Sequence, residues 1–411
     1  MRFGIRIAVA ALLVAAAAVA GFFAFRAITG KYFFRSEPTL KKAEIPLDKK
    51  ALADRKPVTD ELCRSKLTEV QREAYQAISE TIHKSESEKF WLSSAGRDDV
   101  QIALNAYLVD HPEVFWLDVE SGYKYYEYDN SLGVELKYSQ SGDELEHEKK
   151  ELDEVVERVA SAAPDNATDY DIELYLNDYL TKECSYNTDV PMKHTSYGAL
   201  VNGTAVCDGY SHAFQLLCRR LGITCTVVEG TSDFNDDAED GHMWNCIQLG
   251  GDWYHVDVTW NDSTNSVCQV EHYFYVNLTD EEIKRDHKIS PDYSNRSEES
   301  GNFFNVFVPE CSSDKLNYFK LNFVTIKDSE KDDDILASLI NASREGSSYC
   351  AYLVDESVVF YKMRDKVSET YAAQWIEGSN HFTRGSRKIA SDGKIISYES
   401  KRILAIQLEY E

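Results

Sequence analysis

With 411 residues, 43% of them hydrophobic, the chain has room for two or three domains around a substantial core. Its 70 acidic residues outnumber 44 Lys and Arg, and the net charge of −26 excludes nucleic acid and anionic lipid surfaces as partners of the globular part. Nine cysteines fit no small disulfide scaffold, and none stands in a CxxC or Cys/His spacing that would hold a metal, so neither metal nor cofactor is expected.

Arg2 and Arg6 precede an apolar run from Ile7 to Phe25, followed by Arg26, Lys31 and Arg35. A run of this length just spans a bilayer. Ala18-Val19-Ala20 has the small-x-small form of a cleavage site, but the apolar run continues past it. Residues 1–30 are therefore read as a signal anchor, placing the protein in the cell membrane with one N-terminal span and its remainder outside; a cleaved signal peptide and a secreted protein are the alternative. Residues 31–59, with Pro38, Pro46 and Pro57 among lysines, read as a stalk.

From Asp60, the spacing of Leu67, Val70, Ala74, Ile78 and Ile82 predicts an amphipathic helix, and Val100, Leu104, Tyr107 and Leu108 another. Strands are predicted at Val114–Leu117, Tyr123–Tyr128 and Val134–Tyr138, giving an N-terminal α+β domain over 60–142. Asp143 to Ala163 is a charged helix with one apolar stripe, Leu152, Val155, Val156 and Val159, and Ile172–Leu180 is the next helix.

The chemistry lies in three segments. Gly203-Thr204-Ala205-Val206-Cys207-Asp208-Gly209-Tyr210 is followed by His242-Met243-Trp244-Asn245 and then by Trp253-Tyr254-His255-Val256-Asp257-Val258-Thr259-Trp260. After Cys207, the residues Phe214, Leu217, Cys218 and Leu221 keep helical spacing up to Gly222, so Cys207 falls at a helix N-terminus. Unsatisfied N–H groups and the positive end of the helix dipole favour thiolate there. Ile223–Gly230, Met243–Leu249 and Trp253–Thr259 read as strands, and Leu249-Gly250-Gly251-Asp252 joins the last two as a hairpin. The hairpin sets His242 beside Asp257, where a neutral imidazole can take the thiol proton and the carboxylate can fix its tautomer. Cys225 and Cys246 fall on neighbouring strands as either facing partners or buried free thiols. The acidic loop Asp233–Asp240 starts like a calcium loop but lacks its Gly and its bidentate Glu, and reads as solvated.

These segments, with Tyr197-Gly198-Ala199-Leu200 before them and His272-Tyr273-Phe274 after, resemble the transglutaminase-like superfamily of papain-like thiol enzymes, over roughly Asp169 to His287. The flavour is that of bacterial extracytoplasmic and kyphoscoliosis-peptidase-like members. The resemblance implies an α+β fold in which the Cys-bearing helix packs on an antiparallel sheet, within a catalytic domain over 143–310. It implies Cys207 as nucleophile, His242 as general base and Asp257 as third member. Trp244 and Trp260 would wall the site; Tyr210, Tyr197 and Tyr186 join them as candidate substrate contacts, and Tyr186 or Tyr197 as the second oxyanion donor beside the Cys207 N–H. Any one of the three polar residues alone is more often an ordinary core or surface residue; the ordered set is not.

Beyond Cys311 the pattern predicts a strand over Phe319–Ile326, a helix over Asp333–Ser343, strands at Cys350–Val354 and Val358–Tyr361, and a last strand through Ile406, Leu408 and Tyr410. This makes a C-terminal α/β domain over 311–411. The expected function is a peptidase or amidase that forms a thioester on Cys207 with a protein or peptide, a cell-envelope one included. A lysine amine in place of water would make it a cross-linking acyltransferase, and a vestigial site would leave a surface interaction module.

Overall fold

The computed structural model describes residues 44–84, 89–118, 123–129, 131–232, 241–262, 269–292, 304–327, 333–355, 358, 360–366, 369–383, 387–390 and 394–411. They form two compact units of an α+β fold, Glu44–Tyr318 and Phe319–Glu411.

In the first unit, helix α1 (Glu69–Lys84) buries Ala74, Tyr75, Ile78 and Ile82 along one stripe, and α2 (Arg97–Asp110) buries Val100, Ala103, Leu104 and Tyr107 against it. Strands β1 (Lys89–Leu92), β2 (Lys124–Tyr128) and β3 (Ser131–Glu135) make an antiparallel sheet in the order β1-β3-β2. Helices α3 (Gly142–Ser161) and α4 (Asp169–Glu183) follow, the latter started by a Thr168/Asp171 capping box. A two-stranded parallel ribbon, β4 (Ser185–Tyr186) with β5 (Thr204–Ala205), flanks the short helix α5 (Ser196–Leu200) and leads into α6 (Cys207–Arg220). Helix α6, which buries Tyr210, Phe214, Leu217 and Cys218, packs on an antiparallel sheet of β6 (Cys225–Ser232), β7 (Gly241–Leu249), β8 (Asp252–Val256) and β9 (His287–Ile289), ordered β8-β7-β6-β9, with Ser211 and Gln215 bonding to β7 and β6. The β7–β8 turn needs φ of +61° and +92° at Gly250 and Gly251, which two glycines adopt without strain.

The second unit is a mixed sheet, β10 (Val324–Ile326), β11 (Tyr349–Val354), β12 (Lys394–Tyr398) and β13 (Ile403–Gln407), ordered β10-β11-β13-β12. Only β10 and β11 run parallel, and a helix over Asp333–Glu345 supplies the crossover that parallel pairing requires. Ile335, Leu339, Tyr352, Trp375, Ile376, Leu404 and Ile406 form its core.

Several expectations are corrected. Among the described residues no helix is long and apolar enough to cross a membrane, which overturns the membrane-anchored localisation; the run Ile7–Phe25, like the acidic loop 233–240, lies outside the described residues. The stretch read as a stalk is, from Glu44 on, part of the unit. Lys50 pairs with Ala167 through both backbone bonds, and the buried Arg55 guanidinium sits 2.7 Å from Asp169 and donates to Ala167 and Leu221 carbonyls. Residues 60–142 are not separate either, since Gln215 on α6 donates to the Val109 carbonyl at 2.8 Å and Arg219 reaches that of Asp110. The unit boundary lies at 318/319 rather than 310/311, because Cys311 is buried beside Cys246 and Tyr318 stacks on Tyr273 at 4.2 Å. Val114–Leu117 forms only an isolated bridge from Leu117 to Tyr138. Tyr318–Asn322 and Phe360–Lys366 are helical where strands were expected. Cys225 pairs with Ile247 and Cys246 with Thr226, so the two cysteines point to opposite faces of the sheet.

One buried group offers a test of packing. Glu173 on α4 is fully buried, with Oε2 accepting from Asn277 Nδ2 at 2.7 Å, and burial raises its carboxyl to about 8. An unfolded carboxyl ionises near 4.3, so between that pH and about 8 the unfolded state sheds a proton that the folded state keeps, and stability falls as pH rises. Glu173→Gln removes this penalty. Its melting temperature relative to the parent is expected to rise between pH 5 and pH 8; an unchanged difference contradicts the assignment.

Candidate active site

Cys207 is the first residue of α6, entered from extended Val206 (φ −109°, ψ −173°), and is partly exposed. The helix start is seated by close approach of the 193–195 segment: a Cβ at Gly209 would collide with the Lys193 carbonyl and lie 2.7 Å from Ala205 Cβ, so only glycine lets the two segments close. His194 Nδ1 lies 2.7 Å from Asp208 Oδ2 on the first turn.

His242, on β7, is 7% exposed, and its Nε2 lies 2.7 Å from Asp257 Oδ2. Cys207 is the other side chain that acts on its charge, and with Nε2 taken by Asp257, Nδ1 is the ring nitrogen left for the sulfur. Asp257 follows β8 and is fully buried; its Oδ1 caps the short helix α7 (Val258–Asn261) by accepting from Trp260 N at 3.0 Å. Asp257 Oδ2 accepts a second bond, from His287 Nε2 at 3.0 Å, and His287 Nδ1 lies 2.8 Å from Asp286 Oδ1. The resulting chain runs Cys207, His242, Asp257, His287, Asp286.

Electrostatics follow from that chain. Burial disfavours charge on His242, but the Asp257 carboxylate and then Cys207 more than offset it, raising the imidazole to about 9. Burial also works against ionised Asp257, yet His242 and His287 hold it well below the usual carboxylate range. His287 is raised as well, with burial overcome by Asp257 and Asp286. His242, Asp257 and His287 stand close enough to hold a metal ion. Their protons fill the space instead: both Nε2 atoms point their N–H at one carboxylate oxygen, so neither offers a lone pair there.

A cavity of about 180 Å³ is lined by Asp208 and Met243, next in sequence to Cys207 and His242, and by His194, Ser196, His212 and Glu229. Burial raises the Glu229 carboxyl to about 7.

The other residues expected at the site divide. Trp260 is partly exposed, 5.8 Å from the His242 ring and 4.5 Å from that of His287. Tyr186 is 50% exposed on β4, in register with Ala205, two residues before Cys207. Trp244 is corrected: it is fully buried, stacked with His242 at 5.9 Å, and supports the imidazole from within rather than touching substrate. Tyr210 is corrected likewise, being fully buried with its hydroxyl donating to Asp262 at 2.5 Å. Tyr197 is buried too, and its hydroxyl donates to Glu151 at 2.7 Å, so it is neither a substrate contact nor an oxyanion donor. His287 was not among the expected residues. Its strand is three residues long, too short for an alternation to show, and nothing local marks it.

Residues 154–258, which include Cys207, His242 and Asp257, match the family model described as the transglutaminase-like superfamily. The chain carries a domain of that superfamily. A segment of 71 residues is 37% identical to the kyphoscoliosis peptidase of Mus musculus, covering 15% of this chain and 11% of that protein. A segment of 61 residues is 38% identical to the Homo sapiens kyphoscoliosis peptidase, covering 13% of this chain and 9% of that one. The chain thus spans about a tenth of the length of these curated relatives. A solved structure of a TGase aligns over 44% of this chain and 53% of its own, at 11% identity and a TM-score of 0.26.

Proposed function

We propose that the chain is a thiol enzyme that forms a thioester between Cys207 and a peptide or glutamine side-chain carbonyl, and that water resolves the thioester. The observation that carries this reading is His242 set between the partly exposed Cys207, at a helix N-terminus, and the buried Asp257. Cys207 Sγ attacks the carbonyl carbon, its proton already carried by the His242 imidazolium. The C–N bond then breaks as His242 returns that proton to the departing amine or ammonia. In the second half, His242 takes a proton from water, which attacks the thioester and frees the thiol. The oxyanion is held by the Cys207 backbone N–H, with the Tyr186 hydroxyl, on the strand beside Ala205, as second donor. Similarity to kyphoscoliosis peptidase supports hydrolysis. Transfer of the same acyl group to a lysine amine is the second reading, since the Cys207 thioester is common to both.

The test is a quenched-flow reaction with a peptide library, read by intact mass. An acyl adduct on Cys207 that decays to free acid is expected, with decay speeding up on addition of a lysine analogue only under the second reading. Absence of any adduct across the library opposes both and favours an interaction module.

His287 acts in this account as a positioning residue, since it touches Asp257 and not substrate. His287→Ala is expected to lower kcat/KM about 10-fold with KM little changed, and His287→Gln, which keeps an N–H donor, to recover much of it. Equal losses in both variants contradict the positioning role.

A further inference from the structure

A second Cys-His-Asp constellation shares strands β7 and β8 with the first. On β7 the side chains of His242, Trp244 and Cys246 share one face by strand alternation, and on β8 so do His255 and Asp257. Cys246 Sγ lies 3.2 Å from His255 Nδ1 and 3.7 Å from Cys311 Sγ, and His255 Nε2 lies 2.8 Å from Asp280 Oδ1. Cys246, His255 and Cys311 are all fully buried, so this group cannot meet a peptide. We infer that Cys246, Cys311 and His255 Nδ1 bind one thiophilic divalent cation of the zinc class, which ties the segment at Cys311 to the strands that carry His242 and Asp257.

Three features of the donor set carry the inference. Two thiolates on a tetrahedral zinc, each at about 2.3 Å, stand roughly 3.7–3.8 Å apart. The sulfurs here are separated by that distance, and all three donor atoms lie within 4.8 Å of one another. A disulfide would instead need about 2.05 Å. Next, the His255 tautomer is set for ligation. Its Nε2 proton goes to Asp280, the carboxylate-on-histidine arrangement of metal sites, so the lone pair at Nδ1 faces Cys246. His242 shares this orientation, but in the His242, Asp257 and His287 group it is the ring N–H groups, not lone pairs, that face the centre. Nδ1 also accepts from the Trp244 indole N–H at 3.0 Å, a bond that the cation would replace.

Charge completes the picture. A divalent ion with two thiolates and a neutral imidazole is net neutral, and binding releases the two thiol protons to water.

The experiment uses the full chain. Metal content measured after zinc loading and gel filtration is expected to be about one zinc per chain, unchanged in Cys207→Ser and lost in Cys246→Ser/Cys311→Ser. Cobalt loading should give a sulfur-to-cobalt charge-transfer band in the parent and in Cys207→Ser. Should the double variant not fold, mercurial titration of the native parent decides, with zinc release tracking modification of Cys246 and Cys311 as mapped by peptide mass. Substoichiometric zinc in the loaded parent, zinc lost with Cys207→Ser alone, or a peptide in which Cys246 and Cys311 are joined as a disulfide would each overturn the inference.

Discussion

Asp257→Asn is expected to lower kcat/KM by ~10³–10⁴-fold while leaving the fold in place. The carboxylate performs three tasks at once. Its Oδ1 caps the helix after β8, and its Oδ2 accepts from both His242 and His287. Asn is as good a cap as Asp, so the backbone turn survives. It carries no charge, however, and its amide NH₂ would oppose an imidazole N–H wherever it faces one. The charge that lifts His242 to about 9 is then gone, and burial, which works the other way, prevails. His242 falls below its ordinary range and no longer holds the proton that the leaving amine needs. Stability should drop by about 1–3 kcal/mol, the usual cost of leaving buried donors unpaired. Steady-state kinetics and denaturant unfolding on one preparation check both parts. Loss of activity matched by loss of the folded state would reduce Asp257 to a structural residue.

Cys207→Ala is expected to abolish thioester formation, with residual turnover down ~10⁴-fold or more, and to change stability by no more than about 0.5 kcal/mol. The small structural effect follows from position: Cys207 is partly exposed at the first helical residue. Cys207→Ser should not rescue. An imidazole raised to about 9 is already protonated at neutral pH and is a poor acceptor for a hydroxyl proton. The same shift sets the alkaline limit of the parent, since kcat/KM should fall above about pH 9 as His242 loses the proton it donates. For stability the sign is parallel. His242 contributes fully below its unfolded value of about 6.5 and loses that contribution as pH rises through about 9. A serine variant with measurable turnover would contradict this protonation scheme.

The sequence made Cys207, His242 and Asp257 legible because each sits where local pattern is strong. A 14-residue helix with regular apolar spacing follows Cys207, and a Gly-Gly hairpin fixes the pairing of β7 and β8, placing His242 and Asp257 on neighbouring strands. Long helices such as Gly142–Ser161 and Asp169–Glu183 were readable for the same reason. What escaped depends on contacts distant in sequence. His287 reaches Asp257 from a three-residue strand 30 residues on, and Cys311 meets Cys246 across 65 residues; no spacing rule links either pair. Tyr197 and Tyr210 lie near Cys207 in sequence and were candidate substrate contacts, but Glu151 and Asp262 draw their hydroxyls into the interior. Phe319 and Phe360 have the β propensity that suggested strands, but tertiary packing sets both in helices.

The most direct test of the account is the pH dependence of iodoacetamide alkylation at Cys207, read by peptide mass spectrometry in the parent and in His242→Ala. The account predicts faster labelling in the parent than in the variant across the neutral range, because the imidazolium of His242, held by Asp257, faces the sulfur. Equal labelling rates in the two proteins at every pH would contradict it.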